Sequence, residues 1–550
     1  MGMLNSLTDF IKNGLPIIFM VLLMCSSSLS DTDFEIQRMV HFEIMGIPIG
    51  SAGSSLNMEA RSFSSDFNFR SCILARIQDL SVDLFRVIKS KAGGLVILMP
   101  QNETQLSLEE KENLFLLEQE MLSEETRVPI YFANYHQNLA NIIAEIDNFS
   151  SKMKMDFLNQ INSNGYQVVV GGTNAVIKNP KISIIQGELP TEDPQTNKPT
   201  IIIFSQLKTF GVVPNELPNL DATILMLLID NLSKLFNQNF SSKYRIIFAL
   251  HESGSLLNFH ATKKFIEANI DEGNVRNIEF VVCLDTLAEN PESIFYLHSS
   301  KPITNPGTTT KFFEVLQKKA EMYEATFDYV HKKINLADPF HKWNHEIFNI
   351  KKNPAFTLSS LNNPLDPLRT SFFSKYAYSS LSSNDHPDSD YDSVMLKKIQ
   401  VTTKILLEAL VHYIFNLDEE AKDKIAKDTL PIDEQSIKKY ISLQSIQKSH
   451  NIKTAFEMFL KNVKISYDKA DNLDPEFKFY DQGDSKLHIY KVKPALFDLF
   501  LLLIICCYLF CLYFIIIHFS KVYDLIQSTV TTNHDENKTN GVSHVKSKYI

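Results

Sequence analysis

The sequence predicts an α/β protein with a mostly parallel sheet flanked by helices, a smaller N-terminal lobe and one C-terminal transmembrane helix. Apolar runs of strand length alternate with helical patterns, and apolar residues make up 44% of the chain, enough for a large core. One uncharged run near the C-terminus is long enough to cross a bilayer. The alternation favours parallel strands, because the intervening helices serve as crossover connections between them.

Residues 31–191 form the predicted N-terminal lobe. The runs "AGGLVILMP" and "RVPIYFA" are apolar, have the length of strands and are bounded by Gly, Pro and charged residues. Between them, "SLEEKENLFLLEQEMLS" has the period of a helix. The polar stretch "GELPTEDPQTNKP" has no apolar period, so it marks the predicted boundary of this lobe.

Residues 192–417 show the most regular alternation and form the predicted main domain. The strand candidates are "TIIIFSQ", "YRIIFAL", "IEFVVCLD", "SIFYLH" and "AFTLSS". Helices are predicted at "DATILMLLIDNLSKLF", at "LLNFHATKKFIEANI", near residues 312–323 and over residues 394–415. Strands that are apolar along their whole length are typical of a sheet covered on both faces. Residues 418–493 are predicted to be a helical, membrane-proximal segment.

Both ends of the chain carry membrane signals. Lys12, the apolar run "LPIIFMVLLM" and the small residues Ser28 and Ser30 follow the order of a secretory signal peptide over residues 1–30. An uncleaved signal anchor is the alternative. Residues 499–517 carry no formal charge and span ~28 Å at ~1.5 Å per residue. We therefore expect residues 494–519 to cross the bilayer and residues 520–550 to be cytosolic, the alternative being a buried soluble helix.

The C-terminal sequence "KSKYI" predicts the compartment. Lys546 and Lys548 resemble the Lys-x-Lys-x-x signal that returns type I membrane proteins to the endoplasmic reticulum. Together with the signal peptide and one terminal span, this predicts a single-pass type I protein of the endoplasmic reticulum membrane with a large lumenal domain. If the match were accidental, a surface receptor would be the alternative.

The predicted lumenal part contains four Asn-x-Ser/Thr sequons, which are candidates for glycosylation. They begin at Asn102, Asn148, Asn231 and Asn239, and Asn231 falls inside a helical pattern. Cys72 and Cys283 each lie in an apolar, strand-like run. The sequence leaves open two buried thiols or one disulfide bond.

Several functional classes find little support. The net charge of −10 is spread without long basic blocks, so no nucleic-acid partner is predicted. Ser253 in "HESGS" lacks the leading Gly of a nucleophile elbow. In "HKWNH", His341 and His345 have metal-ligand spacing on a predicted helix, but Lys342 stands where a zinc peptidase needs Glu.

Asp498 is the unusual residue of the predicted span. It enters the apolar run one turn after Pro494. A carboxylate in lipid costs ~2.5 kcal/mol or more at the bilayer centre and less near the boundary. Two interpretations follow: Asp498 contacts a transmembrane helix of a partner, or it snorkels to the headgroups.

Longer stretches resemble the nicalin family, type I membrane proteins of the endoplasmic reticulum related to nicastrin and to zinc aminopeptidases. The stretches are "VHKKINLADPFHKWNHEIFNIKKNPAFTLS", "DPEFKFYDQ", "YKVKPALFDLFLL", "AGGLVILMP" and "EMLSEETRVPIYFA". They cover nearly the whole exported domain and the span, in order. The resemblance implies an aminopeptidase-like lumenal domain over residues 192–417.

The same resemblance implies where a metal site would stand. Two Zn²⁺ ions need a His-x-Asp pair, a bridging Asp, paired glutamates, a further Asp and a late His, because several anionic and imidazole ligands must offset their charge. The first pair falls on Gln206 and Lys208, and the Lys208 ammonium would repel a cation. We therefore expect no metal and no cofactor.

The remaining positions implied by the resemblance are mixed. Asp221 matches the bridging Asp, His251 and Glu252 the paired glutamates, and Asp285 the next ligand, while Ser360 or a neighbour stands at the late His. Each also has a structural interpretation: Asp221 as a helix cap, Asp285 as a loop cap, and Glu252 as a polar partner of His251.

The resemblance implies a non-catalytic scaffold, a degenerate aminopeptidase that assists the biogenesis or insertion of multi-pass membrane proteins. Its implied partners are the Nodal modulator protein, a small multi-pass membrane protein and the Sec translocon. The alternative is a lumenal metallopeptidase with a one-metal site built from Asp221, Glu252 and Asp285.

Overall fold

The computed structural model of the chain describes residues 31–524 with internal gaps. The residues outside this description are 1–30, 102–105, 153–164, 191–197, 209–210, 214–218, 238–241, 290–292, 303–307, 373–389, 416–431, 445–447, 471–474, 482–485, 493–494, 519–520, 522 and 525–550. The predicted signal peptide and the predictions on Asn102, Asn239, Lys546 and Lys548 therefore lie outside the described residues.

Strands and helices alternate through most of the chain. The strands are β1 Asp31–Arg38, β2 His41–Ile44, β3 Ile47–Ser51, β4 Leu56–Arg61, β5 Ser71–Arg76, β6 Gly94–Leu98, β7 Glu125–Thr126, β8 Ile130–Ala133, β9 Gly165–Val170, β10 Lys181–Glu188, β11 Thr200–Gln206, β12 Arg245–His251, β13 Ile278–Leu284, β14 Ile294–Ser299, β15 Thr326–His331, β16 Ala355–Ser359, β17 Lys461–Lys469, β18 Phe477–Phe479 and β19 Lys486–Val492. The helices are α1 Val82–Lys91, α2 Leu108–Met121, α3 Gln137–Lys152, α4 Leu220–Asn237, α5 His260–Ile266, α6 Thr308–Met322, α7 Asn344–Ile350, α8 Asp390–Ile414, α9 Glu434–Ser442, α10 Lys448–Phe459 and α11 Ala495–Ile517.

The largest sheet has the strand order β15-β14-β16-β13-β11-β12-β10-β17. Its central strands β12, β11, β13 and β16 are parallel, as the alternation of strands and helices predicts. Antiparallel pairings join β14 to β16 and β10 to both β12 and β17. The mixed α/β prediction is confirmed, with antiparallel strands added on both sides of the parallel centre.

Strand β11 shows why the central strands are apolar along their whole length. Ile201 and Ile203 pack into a core with residues of α4 and α8, whereas Ile202 and Phe204 pack into a second core with residues of α5 and α7. Successive side chains of a strand point to opposite faces, and both faces of this sheet are covered. Each buried side chain of this size contributes roughly 1.5–3 kcal/mol.

A second sheet of seven strands closes on itself in the order β1-β19-β9-β4-β5-β6-β8, because β8 also pairs with β1. A third, four-stranded sheet has the order β18-β2-β3-β7. Strands β18 and β19 therefore join the C-terminal segment to the N-terminal lobe. Strand β17 of the same segment pairs with β10 in the large sheet.

This topology differs from the predicted division into residues 31–191, 192–417 and 418–493. Strand β10 lies before residue 191 yet belongs to the large sheet. Residues 418–493 contain α9 and α10, but this segment, which was predicted to be helical, also contains the three strands β17, β18 and β19. Pairing between segments this distant along the chain leaves no local pattern in the sequence.

The predicted helix "LLNFHATKKFIEANI" begins later than expected, and after α5 it continues as the π-helical turn Glu267–Asp271. Its first turn is interrupted at Asn258 and Phe259, which have φ values of 49° and 50°. Helix α5 therefore begins only at His260. Left-handed residues end a helical run because they cannot continue its hydrogen-bond pattern.

Cys72 and Cys283 are both free thiols. Cys72 is buried in the core of the closed sheet, and Cys283 is buried in the core that contains Ile202 and Phe204. Burial raises the pKa of Cys72 to about 12, so its thiol stays protonated at neutral pH. Of the two alternatives that the sequence leaves open, the structure has two buried thiols.

Helix α11 is uncharged from residue 499 to its end at Ile517. Its apolar side chains are exposed, for example Leu499 at 63% and Phe510 at 68%. Within the part of the chain that the structure describes, no helix is found that is both long and apolar enough to cross a membrane. The span predicted over residues 494–519 stays a prediction.

Candidate functional site

The carboxyl ends of three parallel strands meet at one edge of the large sheet, hereafter the carboxyl edge. Gln206 ends β11, His251 ends β12, and Asp285 directly follows β13. Open α/β sheets usually bind ligands at such an edge. The Gln206 Nε2 atom donates to Asp285 Oδ2 at 3.3 Å, so the structure brings these two predicted positions together.

Asp285 forms a buried ion pair with Arg369, a residue that sequence analysis did not select. Arg369 ends the short 3-10 turn Pro367–Arg369, and its side chain is 3% exposed against 2% for Asp285. Its Nε atom lies 3.1 Å from both carboxylate oxygens, and Nη2 lies 2.5 Å from Oδ2. A bidentate pair of this geometry is among the strongest of charged hydrogen bonds.

The rest of the Arg369 guanidinium is enclosed by protein. Its Nη1 atom donates to the backbone oxygens of Lys342 at 2.7 Å and Pro364 at 3.0 Å. The guanidinium carbon lies 4.3 Å from the ring centroid of Trp343 and 5.4 Å from that of Phe259. The Asp285 carboxylate is therefore already neutralised by a fixed cation.

The Asp221 side chain accepts hydrogen bonds from the loop after β13 and not from its own helix. Its carboxylate accepts from the backbone N–H groups of Thr286 at 2.6 Å and Leu287 at 2.9 Å. The cap of α4 is Asn219, whose Oδ1 accepts from the N–H groups of Asp221 and Ala222. The expectation that Asp221 caps the helix is wrong, because Asn219 precedes it and accepts from the N–H groups that open α4.

Burial is the largest cause of the shifted pKa of Asp221. Together with the carboxylates of Glu289 and Asp285, it raises the pKa of Asp221 well above its ordinary value, although the N–H groups of Leu287 and Thr286 act in the opposite direction. The Asp221 side chain is thus buried, and its carboxylate oxygens accept hydrogen bonds from backbone N–H groups.

The loop that follows Asp285 has an unusual backbone. Thr286 has a φ of 58°, a left-handed conformation that β-branched residues rarely adopt and that costs roughly 1–3 kcal/mol. Its carbonyl accepts from Ser360, through the backbone N–H at 3.0 Å and through Oγ at 2.5 Å. Ser360, predicted near the position of a late His ligand, therefore holds this loop in place.

Lys208 and Glu252 form a second ion pair at the carboxyl edge. Lys208 Nζ lies 3.2 Å from Glu252 Oε1. Glu252 also accepts from the Ser183 N–H at 3.0 Å and from Ser449 Oγ at 2.7 Å. Burial opposes ionisation, but Lys208 and these donors outweigh it and hold the pKa of Glu252 below its ordinary value.

His251 is completely buried and does not pair with Glu252. Its Nε2 atom faces the Asn344 amide nitrogen at 3.1 Å, and its ring stacks on Phe204 with centroids 4.8 Å apart. Burial lowers the pKa of His251 to about 3, so the ring is neutral at pH 7. Ser253 Oγ lies 3.4 Å from Nδ1 and already accepts from the Ala261 N–H, so this pair is no exposed nucleophile.

His341 and His345 do not share a helix face. His345 lies in α7, is buried, and contacts Thr357 Oγ1 at 2.8 Å through Nδ1. His341 precedes that helix, and its Nδ1 lies 3.7 Å from Glu346 Oε2. The predicted helical spacing fails because α7 begins only at Asn344.

The residues present do not fit a pair of zinc ions. Asp285 is neutralised by Arg369, Glu252 by Lys208, and Asp221 faces backbone N–H groups. Among the described residues, no group of three or more His, Cys, Asp or Glu side chains could hold a metal ion. The one-metal alternative also fails geometrically, because Asp221, Glu252 and Asp285 are each turned to a different partner.

A cleft of about 230 Å³ lies beside this edge, and Arg369 is part of its lining. Apolar side chains from both lobes contribute to it, namely Leu122, Leu256, Phe340 and Leu365. Gln119 on α2 donates through Nε2 to the Leu365 carbonyl at 3.3 Å, which links the two sides. The lining also carries charged and titratable side chains, namely His341, Lys342 and Asp366 in addition to Arg369.

The remaining predicted positions are spread over the molecule. Asn148 is exposed on α3. Asn231 is 2% exposed and donates through Nδ2 to the Leu227 carbonyl at 2.8 Å, so its glycosylation prediction is wrong for the folded chain. Asp498 is exposed in the first turn of α11.

Sequence reasoning missed Arg369, Asn219 and Asn344. Arg369 stands in "NNPLDPLRTSFF", an irregular stretch with no apolar period. A buried arginine there has the same local sequence signal as an exposed one. Asn219 could have been found, because Asn directly before a helical apolar run is a typical cap.

Known proteins are similar to this chain over almost its whole length. A Danio rerio protein named BOS complex subunit ncln is 30% identical, covering 95% of this chain and 97% of its own. The Homo sapiens BOS complex subunit NCLN is 30% identical, covering 90% and 91%. A Caenorhabditis elegans protein named nicalin is 22% identical, covering 94% and 97%.

Comparison with solved structures gives weaker likeness. The zinc aminopeptidase BSAP from Bacillus subtilis is 11% identical with a TM-score of 0.32, covering 74% of this chain and 88% of its own. This likeness is too low to indicate function. No model of a protein family matches the chain. Because its identity to the Danio rerio protein reaches 30% over 95% of its length, the chain belongs to the family of nicalin and BOS complex subunit NCLN.

Proposed function

We propose that this protein is a non-catalytic scaffold subunit of a membrane complex. The observation that carries the proposal is the buried pair between Asp285 and Arg369, which occupies the carboxyl edge with a fixed cation. An enzyme of the aminopeptidase type would need this edge open for a metal and a water molecule. With this edge occupied by an ion pair of the chain itself, contact with other proteins is the function that the arrangement supports best.

The proposed location is the endoplasmic reticulum membrane, with residues 31–493 lumenal, one span over residues 494–519 and a cytosolic tail over residues 520–550. The uncharged residues 499–517 and the exposed apolar side chains of α11 support the span. The signal peptide predicted over residues 1–30 supports a type I orientation. Lys546 and Lys548 support retrieval to the reticulum.

The proposed partners follow from the family. The relatives carry the name of a BOS complex subunit, which supports membership of this chain in a similar assembly. We further propose that the assembly contains the Nodal modulator protein and a small multi-pass membrane protein. In this proposal it acts beside the Sec translocon and assists the biogenesis or insertion of multi-pass proteins.

Affinity purification of the full-length tagged chain in mild detergent tests this function. We expect recovery of the two partner classes together with translocon components. A matched variant, Lys546→Ser with Lys548→Ser, is expected to leave the reticulum and to lose the translocon components. Recovery of the wild-type chain alone would contradict the scaffold role, and an unchanged location of the variant would contradict the retrieval signal.

Metal analysis separates this function from a lumenal peptidase. We expect purified wild-type protein to contain no stoichiometric zinc, because Asp285 and Glu252 are each paired with a fixed cation. Stoichiometric zinc that disappears in an Asp285→Ala variant, together with peptide cleavage, would favour the enzyme.

A further inference from the structure

We propose that the Arg369 guanidinium is a built-in cation that takes the place of a metal ion at the carboxyl edge. Its binding site is formed by the Asp285 carboxylate, the backbone oxygens of Lys342 and Pro364, and the face of Trp343. This inference goes beyond the scaffold role, because it concerns which positive charge stabilises this edge and not which partners the protein has.

The site has the chemistry of a guanidinium receptor. A guanidinium is planar, delocalised and weakly hydrated, and it presents a fork of N–H donors that matches a carboxylate. Here Asp285 accepts from the edge of the fork, while Trp343 lies 4.3 Å from the guanidinium carbon at its face. Aromatic faces attract such cations, particularly when water is excluded. A small divalent metal would instead require several anionic or imidazole ligands.

The cation also joins segments that are far apart along the chain. Asp285 follows β13, Lys342 lies just before α7, and Arg369 is 84 positions from Asp285. Lys342, Pro364 and Arg369 all line the cleft beside the edge. The bound guanidinium therefore fixes the loops that form this side of the cleft.

Electrostatics explains why a cation is needed at this place. Asp285 and Glu289 both lie close enough to Asp221 for their charges to interact with it, and all three side chains are buried. Bringing several carboxylates together inside a protein is unfavourable unless a positive charge offsets them. Arg369 supplies that charge from within the chain.

Chemical rescue of an arginine deletion tests the proposal. The full-length Arg369→Ala variant, purified in detergent, is expected to melt several degrees below the wild type because Asp285 is left buried and unpaired. Guanidinium chloride at a low, non-denaturing concentration should restore part of this loss. Sodium chloride at equal ionic strength and urea should not, and the wild type should show no gain.

Arg86→Ala is the matched control. Arg86 also makes a bidentate pair, with Glu120 at 3.1 and 2.8 Å, but its side chain is 57% exposed. We expect neither a loss in melting temperature nor rescue by guanidinium. An Arg369→Ala variant that behaves like Arg86→Ala, or that guanidinium fails to stabilise, would overturn the proposal.

Two further measurements cover the case in which Arg369→Ala does not fold. The double variant Asp285→Asn with Arg369→Gln is expected to melt above the single variant Arg369→Gln, since it removes the Asp285 carboxylate that the single variant leaves without its cation. The wild type is expected to keep its melting temperature in EDTA. A double variant no more stable than the single one, or a wild type destabilised by EDTA, would show that Arg369 does not replace a metal. Neither result depends on co-purification of partners, so this proposal and the scaffold role can fail separately.

Discussion

Lys208 Nζ lies 3.2 Å from Glu252 Oε1, and the two side chains are 35% and 13% exposed. The ammonium that was expected to repel a metal thus has a specific anionic partner at the same edge. Asp285, which follows β13, forms a similar ion pair with Arg369. Two carboxylates at positions that resemble metal ligands are therefore each neutralised by a basic side chain of the chain itself.

We expect Lys208→Met to lower the free energy of unfolding by about 1 kcal/mol, because Glu252 loses its counter-ion while remaining largely buried. Partial exposure of Lys208 keeps the effect below that of a fully buried pair. Denaturant unfolding of the wild type, Lys208→Met, Glu252→Gln and the double variant measures the coupling between the two side chains. The double variant should lose less than the sum of the single variants.

Lys351→Met provides the control for this cycle. Lys351 Nζ lies 3.0 Å from Asp271 Oδ2, but the side chains are 51% and 43% exposed. We expect a change within about 0.5 kcal/mol, as is usual for exposed pairs. If Lys208→Met and Lys351→Met lowered the free energy of unfolding equally, the pair at the carboxyl edge would contribute no more to stability than an exposed pair.

Acid should destabilise the protein partly through His345. Burial lowers the pKa of His345 to about 3, against an ordinary value of 6.5. In the unfolded chain the His345 ring is protonated below about pH 6.5, whereas in the folded chain it is protonated only below about pH 3. The free energy of unfolding falls with pH across this window, by up to about 1.4 kcal/mol per pH unit for this group.

His345→Gln should remove that contribution. We expect the variant to show a shallower loss of stability between pH 6.5 and 4 than the wild type, measured by denaturant unfolding at each pH. Asp221, whose pKa is raised, acts in the opposite direction but does so in both proteins. Thr357→Val is the control, because it removes the 2.8 Å contact of His345 and keeps the titrating ring. Identical pH slopes in the wild type and His345→Gln would contradict the prediction.

Local pattern was enough to locate most elements of the large sheet. Strands β11 and β13 are continuous apolar runs because both of their faces are buried, and such runs are visible in the sequence. The closed sheet was not foreseen, since it depends on contacts such as that between Asp33 and His488, which are 455 positions apart. Burial leaves a local signal, whereas the identity of a distant strand partner does not.

At the candidate site, too, one part could be predicted from the sequence and another part could not. The loss of metal ligands at Gln206 and Lys208 could be predicted, because it depends only on which side chains stand at the end of one strand. The ion pair between Arg369 and Asp285 could not be predicted, because Arg369 comes from an irregular turn 84 positions after Asp285. Charge compensation is a property of the folded arrangement.

Asn148→Gln should remove a glycan if residues 31–493 are lumenal. Asn148 is exposed on α3, whereas Asn231 is buried and donates to the Leu227 carbonyl. Gel mobility before and after endoglycosidase treatment of protein from cells measures the difference. Asn231→Gln should leave the mobility unchanged. Loss of a glycan in Asn231→Gln, or none in Asn148→Gln, would contradict this assignment.

Asp498 provides a test of contact within the membrane. It is exposed in the first turn of α11, whose following residues 499–517 carry no charge. If its carboxylate faces a polar group of a partner helix, Asp498→Leu should weaken that association by about 1 kcal/mol, roughly fivefold. Quantitative co-purification of the small multi-pass partner with full-length chain in mild detergent measures the loss.

Two variants distinguish partner contact from snorkelling at the bilayer boundary. Asp498→Glu keeps the carboxylate and should retain most of the co-purified partner, whereas Asp524→Asn removes an exposed carboxylate beyond α11 and should retain all of it. A snorkelling carboxylate reaches headgroups and makes no specific contact, so Asp498→Leu would then recover as much partner as the wild type. That outcome would leave the docking surface on other faces of α11 or in the lumenal domain.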